Sequence, residues 1–294
     1  MNNFGFTTTA DEVLAGVDLT GRRALVTGAT SGVGVETARV LAAHGAAVVL
    51  GVRNVDAGRR IAAGLDGDVT VGRLDLSELD SIRSFAASWD GPLDILINNA
   101  GIMATPELTR TAQGHELQFA VNYLGHFALT TGLHSALARS GRSRVVSLSS
   151  NAHLFAPFSF DDYDYLFRPY QPIGAYGESK TATVLLAVEA DRRWAADGIR
   201  ANAVHPGAIA TNLQQHTGGL QTPVERRKSV PQGAATSVFA AVAEVGGKYF
   251  EDCGEAVVLD ERPALFGGGV APFALDPANA GRLWELGERL VATV

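Results

Sequence analysis

Seven short runs rich in Val, Ile, Leu and Ala recur along the chain, and most are separated by stretches with helical periodicity. The runs do not alternate apolar with polar residues, which is typical of strands covered on both faces. They are residues 24–27, 47–52, 69–74, 95–98, 145–148, 201–204 and 256–259. This alternation predicts an α/β protein with a doubly wound sheet of about seven parallel strands, flanked by helices on both faces and joined by right-handed crossovers.

Four helices are predicted from amphipathic periodicity and from residues typical of helix ends. They cover residues 33–44, 77–89, 113–137 and 175–196. Gly45 and Gly198 follow two of them, as expected for helix C-termini, and Ser77-x-x-Asp80 is typical of a capping box. No repeat or low-complexity tract interrupts the pattern, so we expect residues 1–294 to form one domain.

Two segments depart from this alternation and are predicted to be loops around a ligand. Residues 154–174 combine aromatic residues with aspartates, and residues 212–232 are rich in Gly, Gln and Pro. The aromatic insertion could form the wall of an apolar pocket, an oligomer interface or a lid. Its candidate substrate contacts are Leu154, Phe155 and Phe158, and residues 212–232 are the candidate substrate loop.

Charge and composition exclude several classes of protein. The formal charge is −7 and the basic residues are scattered, so no basic surface for nucleic acid is expected. Cys253 is the single cysteine, which excludes an internal disulfide and fits a reducing compartment. The apolar runs are too short to span a bilayer, and the N-terminal charge order is not that of a signal peptide. We therefore expect a soluble, cytoplasmic protein.

The first predicted strand runs into a glycine-rich turn and then directly into a helix. The turn contains Gly28, Thr30, Ser31, Gly32, Val33 and Gly34. Such a turn lets the backbone approach a pyrophosphate at the positive end of the helix, although a purely structural turn is the alternative. The second strand ends at Arg53 and Asn54, without the carboxylate that would bind the ribose 2′-hydroxyl of NAD. Arg53 can instead pair with a 2′-phosphate, which favours NADP(H).

Tyr176 and Lys180 are four residues apart on one predicted helix, so their side chains share a helical face. A phenol with a pKa near 10 is only about 0.1% ionised at pH 7. An ammonium group about 4 Å away would lower that pKa by roughly 3 units before desolvation is subtracted. The pair therefore predicts a tyrosine acid/base activated by a lysine.

Taken together, these motifs resemble the short-chain dehydrogenase/reductase family, whose Rossmann-like sheet has seven parallel strands. The matching positions are residues 27–34, 75–76, 98–101, 122, 149–150, 176–180 and 206–207. The resemblance implies that Tyr176 moves a proton to or from the substrate oxygen, which Ser150, rather than Ser149, holds. It assigns Lys180 to the ribose hydroxyls and the tyrosine pKa, and Asn122 to a water in a proton relay.

The same resemblance implies further contacts to the cofactor. It assigns Asp75 to the adenine, and Pro206, Gly207 and Thr211 to the nicotinamide carboxamide. Asn98 would stabilise its strand beside the cofactor, although Asn98 and Asn99 could simply cap a strand. The remaining cofactor candidates are Leu76, Asn99, Ala100 and Gly101.

The long separation between Ser150 and Tyr176 resembles the retinol-dehydrogenase-like branch, as do Ser149-Ser150-Asn151-Ala152-His153 and Asp161-Asp162. It implies an NADPH-dependent carbonyl reductase or alcohol dehydrogenase for a bulky apolar substrate. The alternatives are reduction of a polarised C=C bond and a non-catalytic NADP(H)-binding regulatory protein. Relatives form homodimers or homotetramers. His153 and His205 have no second ligand at metal spacing, so no metal site is expected.

Overall fold

The computed structural model describes residues 4–292 and contains an eight-stranded sheet in the order β3-β2-β1-β4-β5-β6-β7-β8. Strands β1 to β7 are parallel, and the short β8 is antiparallel to β7. The strands are β1 (Arg23–Thr27), β2 (Ala47–Val52), β3 (Val69–Arg73), β4 (Ile95–Asn98), β5 (Arg144–Leu148), β6 (Arg200–His205), β7 (Tyr249–Glu251) and β8 (Gly254–Glu255). The predicted doubly wound parallel sheet is confirmed, with one more strand than expected.

Helices cover both faces of this sheet. The helices are α1 (Ala10–Leu14), α2 (Gly32–Ala43), α3 (Val55–Ala62), α4 (Leu79–Ser88), α5 (Leu117–Phe119), α6 (Gly125–Gly132), α7 (His134–Ser140), α8 (Pro172–Trp194), α9 (Val230–Val242), α10 (Pro272–Leu275) and α11 (Pro277–Ala292). Successive residues of β1 point to opposite faces, as a pleated strand requires. Leu25 packs with Ile82 of α4 and Leu185 of α8, whereas Val26 packs with Leu41 of α2. Apolar clusters therefore cover both faces of the sheet.

The predicted seventh strand at residues 256–259 is wrong. The seventh strand is Tyr249–Glu251, which pairs with β6, and the predicted run makes only an isolated bridge from Val258 to Val270. Val257 and Val258 are exposed, so their apolar character does not reflect a position inside the sheet. The true strand is only three residues long, too short for its pattern to be recognised.

The helix predictions need two corrections. The predicted helix 113–137 begins at Leu117 and is interrupted by a π-helical turn, Ala120–Leu124, before α6 and α7 continue it. Helix α4 begins after Glu78 and has no side-chain cap, so the capping box is wrong. Ser77 instead donates to the carboxylate of Asp75, at 2.6 Å. No helix within residues 4–292 has the length and apolarity needed to cross a membrane.

The aromatic insertion is fastened to α8 by an ion pair. Arg168 donates to both carboxylate oxygens of Glu178, at 2.6 and 2.5 Å, and stacks on Tyr165. Asp162 accepts three backbone N–H groups of residues 166–168, which fixes the loop between them. Phe158 is buried against Phe119 in the core. Most of this segment is therefore packed protein rather than an open loop.

Three buried histidines lie beside the carboxyl ends of the strands, and burial lowers the pKa of each. The pKa is about 4 for His126 and His153 and about 3 for His205. His153 Nδ1 donates to Ser150 O at 2.7 Å, and its Nε2 accepts from Ala271 N at 3.2 Å. Protonation of Nε2 would turn it into a donor that faces the backbone N–H of Ala271, which is also a donor. The fold therefore requires the neutral form of this histidine.

We expect the free energy of unfolding to fall as the pH drops from about 6.5 to about 4. The unfolded chain binds protons at these histidines while the folded chain does not, which costs about 1.4 kcal/mol per pH unit for each one. Urea unfolding at several pH values measures the slope. His153→Gln should reduce the slope of the unfolding free energy against pH by the contribution of one histidine. His216→Gln, which alters an exposed histidine, is the control. An unchanged slope in His153→Gln would contradict the assignment.

Candidate active site

A cavity of about 1140 Å³ lies at the carboxyl ends of the parallel strands. This is larger than the roughly 300–1000 Å³ of most small-ligand pockets, and it has room for a dinucleotide together with a substrate. Every predicted cofactor residue lines it: Gly28, Thr30, Ser31, Gly32, Val33, Gly34, Arg53, Asn54, Asp75, Leu76, Asn99, Ala100, Gly101, Tyr176, Lys180, Pro206, Gly207 and Thr211. The tertiary structure thus brings these separate segments together.

The glycine-rich turn is shaped for close backbone approach. Gly28 has a φ of +67°, and a Cβ there would lie 2.7 Å from the Cα of Ala100. A Cβ on Gly34 would lie 2.4 Å from Nδ2 of Asn99. Ser31 precedes α2 without a side-chain cap, so the first N–H groups of this 12-residue helix face the cavity side uncapped. Such a cradle fits a pyrophosphate.

The hydroxyl of Thr27 connects β1 to the segment after β4. It accepts the backbone N–H groups of Asn99 and Ala100, at 2.9 and 3.0 Å, and lies 3.0 Å from His126 Nε2. The Asn99 amide donates to Thr27 O. Asn98 is buried below the cavity and donates to Thr130 and Ser147. Asn98 therefore holds the strands together, as expected, and Asn99 shapes the cavity wall.

The three polar side chains that follow β2 and β3 have different surroundings. Arg53 is exposed at the cavity edge, and no carboxylate within residues 4–292 pairs with it. Asn54 caps α3 by accepting from Ala57 N at 2.9 Å. Asp75 also accepts the backbone N–H of Ser77 at 3.0 Å. Arg53 is thus the cation here that no carboxylate within residues 4–292 pairs with, and the side-chain oxygens of Asn54 and Asp75 shape the local backbone.

The two serines after β5 face different partners. Ser149 Oγ donates to Lys180 O at 2.8 Å and is buried. Ser150 begins the short 3₁₀ turn Asn151–Phe155, and its hydroxyl accepts from Ala152 N at 3.2 Å and lies near enough to the Tyr176 phenol to lower the phenol's pKa. Because Ser149 is engaged with the backbone of α8 and Ser150 acts on this phenol, the structure favours Ser150 over Ser149 as the serine beside the reacting group.

Tyr176 and Lys180 lie on one face of α8, next to the end of β5. Lys180 Nζ donates to Leu148 O at 2.8 Å and lies 5.6 Å from the Tyr176 ring centroid. Both side chains are almost fully buried, at 5% and 4% exposure. The tyrosine, the lysine and Ser150 therefore form one compact group on the cavity wall.

The expected lowering of the tyrosine pKa is wrong for the protein itself. Burial raises the pKa of Tyr176 to about 12, and the nearby hydroxyl of Ser150 opposes this. Burial also lowers the pKa of Lys180 to about 8. The spacing argument placed the ammonium beside the phenol oxygen, but Lys180 Nζ lies over the ring and donates to a carbonyl. Desolvation therefore dominates both groups.

Asn122 differs from the expectation that its side chain would hold a relay water. It is buried within the π-helical turn and does not line the cavity. Its amide donates to Ile102 O and Ser179 Oγ and accepts from Ile102 N, at 2.9 to 3.0 Å. These hydrogen bonds engage both the oxygen and the nitrogen of the side-chain amide. Asn122 thus positions the segment after β4 against α8.

The substrate end of the cavity includes residues that the sequence analysis missed. Leu154 and Phe155 line it as expected, but Phe158 does not, because it is packed in the core. Most of the candidate substrate loop, from Asn212 to Lys228, also lines it. The missed residues are Phe6, Met103, Leu117, Val121, Ile173, Arg262, Pro263, Ala264, Leu265, Phe266, Gly267 and Gly268. The three consecutive glycines at 267–269 were the available signal for a loop there.

A parallel sheet with a glycine cradle and a Ser-Tyr-Lys group at its carboxyl edge defines a class of nicotinamide-dependent oxidoreductases. The family profile described as short chain dehydrogenase matches residues 22–219. The chain belongs to this family.

The most similar relatives agree with this assignment. A probable oxidoreductase of Streptomyces lividans is 50% identical over 92% of this chain and 98% of its own length. Human retinol dehydrogenase 13 is 38% identical over 92% of this chain and 85% of its own length. This similarity confirms the predicted likeness to the retinol-dehydrogenase-like branch. A solved structure from Mycobacterium paratuberculosis, described as an uncharacterised protein, has a TM-score of 0.76 and is 36% identical in sequence. The match covers 94% of this chain and 95% of the chain in that structure.

Lys180→Met tests the cost of burying this ammonium. Because the folded pKa is about 8 against an ordinary 10.5, the charge destabilises the folded protein below pH 8, and this cost is lost as the pH rises. The stability of the wild type relative to Lys180→Met should therefore rise by about 3 kcal/mol between pH 7 and pH 10.5. Denaturant unfolding measures it, with exposed Lys248→Met as control. A pH-independent difference would refute the buried charge.

Proposed function

We propose that this protein is an NADP(H)-dependent oxidoreductase that interconverts a carbonyl group and a secondary alcohol on a bulky apolar substrate. The observation that carries the proposal is the grouping of Ser150, Tyr176 and Lys180 on the wall of the cavity that begins at the glycine-rich turn. When bound, the nicotinamide supplies or accepts the hydride. The chain's own residues then have to bind and orient the substrate and move one proton.

The proton chemistry of the site favours reduction at neutral pH. Burial keeps the Tyr176 phenol protonated, and the protonated phenol is the form that can donate to a carbonyl oxygen. Ser150 is placed to hold that oxygen beside the phenol. Lys180 uses one N–H on Leu148 O, which leaves donors for ribose hydroxyls. In the oxidative direction the same tyrosine would first have to lose its proton.

The preference for NADP(H) over NAD(H) rests on Arg53. Its guanidinium is exposed at the cavity edge beyond β2, where a 2′-phosphate would make a charge-assisted contact. We propose that Asn54, Asp75, Leu76 and residues 99–101 complete the adenosine side, and that Pro206, Gly207 and Thr211 hold the nicotinamide side. Asn122 is proposed as a positioning residue.

The remaining parts of the proposal concern the protein as a whole. We propose that residues 1–294 act as one catalytic domain with residues 212–232 as the substrate loop. A cytoplasmic location is supported by the single buried cysteine. A homodimer or homotetramer is proposed from the resemblance to the family alone.

Tyr176→Phe should lower kcat by at least about 100-fold, because the proton donor is removed. NADPH binding should stay close to that of the wild type, since the ring and Lys180 remain. NADPH oxidation with a panel of bulky ketones measures the first effect and cofactor fluorescence the second. Tyr163→Phe, which alters a tyrosine outside the cavity, is the matched control. Turnover that survives in Tyr176→Phe would remove this residue from the chemistry.

Arg53→Gln should raise the KM for NADPH by about 10- to 100-fold, the loss expected for a charge-assisted contact to phosphate. The KM for NADH should change by less than about twofold, since NADH lacks the 2′-phosphate. Steady-state kinetics with both cofactors test this. Arg59→Gln removes an exposed arginine of α3 that does not line the cavity and serves as control. Equal effects on both cofactors would rule out the phosphate contact.

A further inference from the structure

The loop from Arg262 to Gly268 closes the substrate end of the cavity and is tied to the catalytic segment. Asn151, the residue after Ser150, donates to Gly267 O at 2.9 Å. His153 accepts from Ala271 N, just beyond the loop. On the other side, Arg226 donates to Phe266 O at 3.3 Å. The loop is therefore held at a set distance from Ser150.

Arg262 projects from this loop onto the ring of Phe155. Its guanidinium carbon lies 5.2 Å from the ring centroid, within the range of a cation–π contact. Phe155 also lies against Gly177 of α8, where a Cβ would lie 3.2 Å from the ring. Gly177 directly follows Tyr176. One aromatic ring thus lies close both to a cation and to the helix that carries the proposed proton donor.

Arg262 has no carboxylate partner within residues 4–292. The acidic residues that line this side of the cavity are engaged elsewhere. Asp252 pairs with the buried Lys228 at 2.5 Å. Glu251 accepts Gly269 N at 2.8 Å, and burial raises the pKa of its carboxyl. The substrate end therefore has an unpaired guanidinium, although the chain as a whole has a charge of −7.

The surroundings of this cation are apolar. Leu265 and Phe266 of the loop, with Ile173 of α8 and Leu154 beside Phe155, line the same cavity. Leu265 is 75% exposed and Phe266 is 40% exposed, so both can be covered by a ligand. An apolar body would bury these side chains, and an anionic end would pair with the guanidinium.

We propose that Arg262, held on Phe155, selects carbonyl substrates that carry a carboxylate at the end of an apolar body, remote from the reacting carbonyl. This inference rests on the proposed function for the identity of the reacting group. The inference specifies in addition that the substrate is negatively charged, a property that the catalytic residues do not determine.

The test compares two ketones of the same shape, acetylbiphenyl carboxylate and acetylbiphenyl carboxamide. Each is a biphenyl with the acetyl group at one para position and the carboxylate or carboxamide at the opposite para position. Calorimetric titration into the protein, with and without NADP⁺, measures binding without turnover. The wild type should bind the carboxylate about 10- to 100-fold more tightly than the carboxamide. Arg262→Gln should abolish that preference and leave carboxamide binding unchanged, while Arg262→Lys should retain part of it.

Arg282→Gln is the matched control. Arg282 is also an exposed arginine stacked on a phenylalanine, with its guanidinium carbon 4.2 Å from the Phe160 ring, but it does not line the cavity. It should leave the preference for the carboxylate intact. Equal binding of the two ketones by the wild type, binding of neither, or a preference that survives in Arg262→Gln would overturn the inference.

NADPH oxidation with the same ketones separates this inference from the proposed function. Reduction of both ketones with equal kcat/KM, together with equal binding, would support the oxidoreductase and refute the role of Arg262. Arg262-dependent binding of the carboxylate without reduction of either ketone would support the recognition site and count against the proposed reaction. Preferential reduction of the carboxylate, lost through a higher KM in Arg262→Gln, would support both.

Discussion

Two hydrogen bonds in opposite directions join strand β5 to helix α8, and the geometry of the site depends on them. Lys180 donates to Leu148 O, and Ser149 donates to Lys180 O, each at 2.8 Å. Because Ser150 follows one end of this connection and Tyr176 lies one helical turn from the other, the two side chains are held together on the cavity wall. The 25 intervening residues can therefore form the aromatic insertion without changing the reacting group.

The site is built from groups that burial makes costly to ionise. The same desolvation raises the pKa of Tyr176 and lowers that of Lys180, so the protein opposes charge at both positions. The buried histidines around the site are neutral for the same reason. A bound dinucleotide would change this balance, because its phosphates and its nicotinamide ring bring their own charges. The charge of a bound ligand therefore affects the pKa values of the site. The proposed pairing of Arg262 with a substrate carboxylate would make ligand charge important at the substrate end as well.

Sequence reasoning predicted the local features well and the distant contacts poorly. The strands β1, β2, β4 and β5 match their apolar runs closely, because central parallel strands must be apolar on both faces. The strand Tyr249–Glu251 was missed because a strand of three residues has no distinctive pattern. Asn122 was singled out by its motif, but its amide is held by Ile102 and Ser179, which are 20 and 57 residues away in the chain.

The sequence by itself determined the alternation of strands and helices, the glycine-rich turn and the spacing of Tyr176 and Lys180, because each is a pattern among near neighbours. Only the tertiary structure decided that Ser149 bonds to Lys180 O while Ser150 lies beside the tyrosine, that burial raises the tyrosine pKa, and that Arg262 lies on Phe155. These outcomes depend on desolvation and on contacts between segments far apart in the chain. Neither is a local property of the sequence.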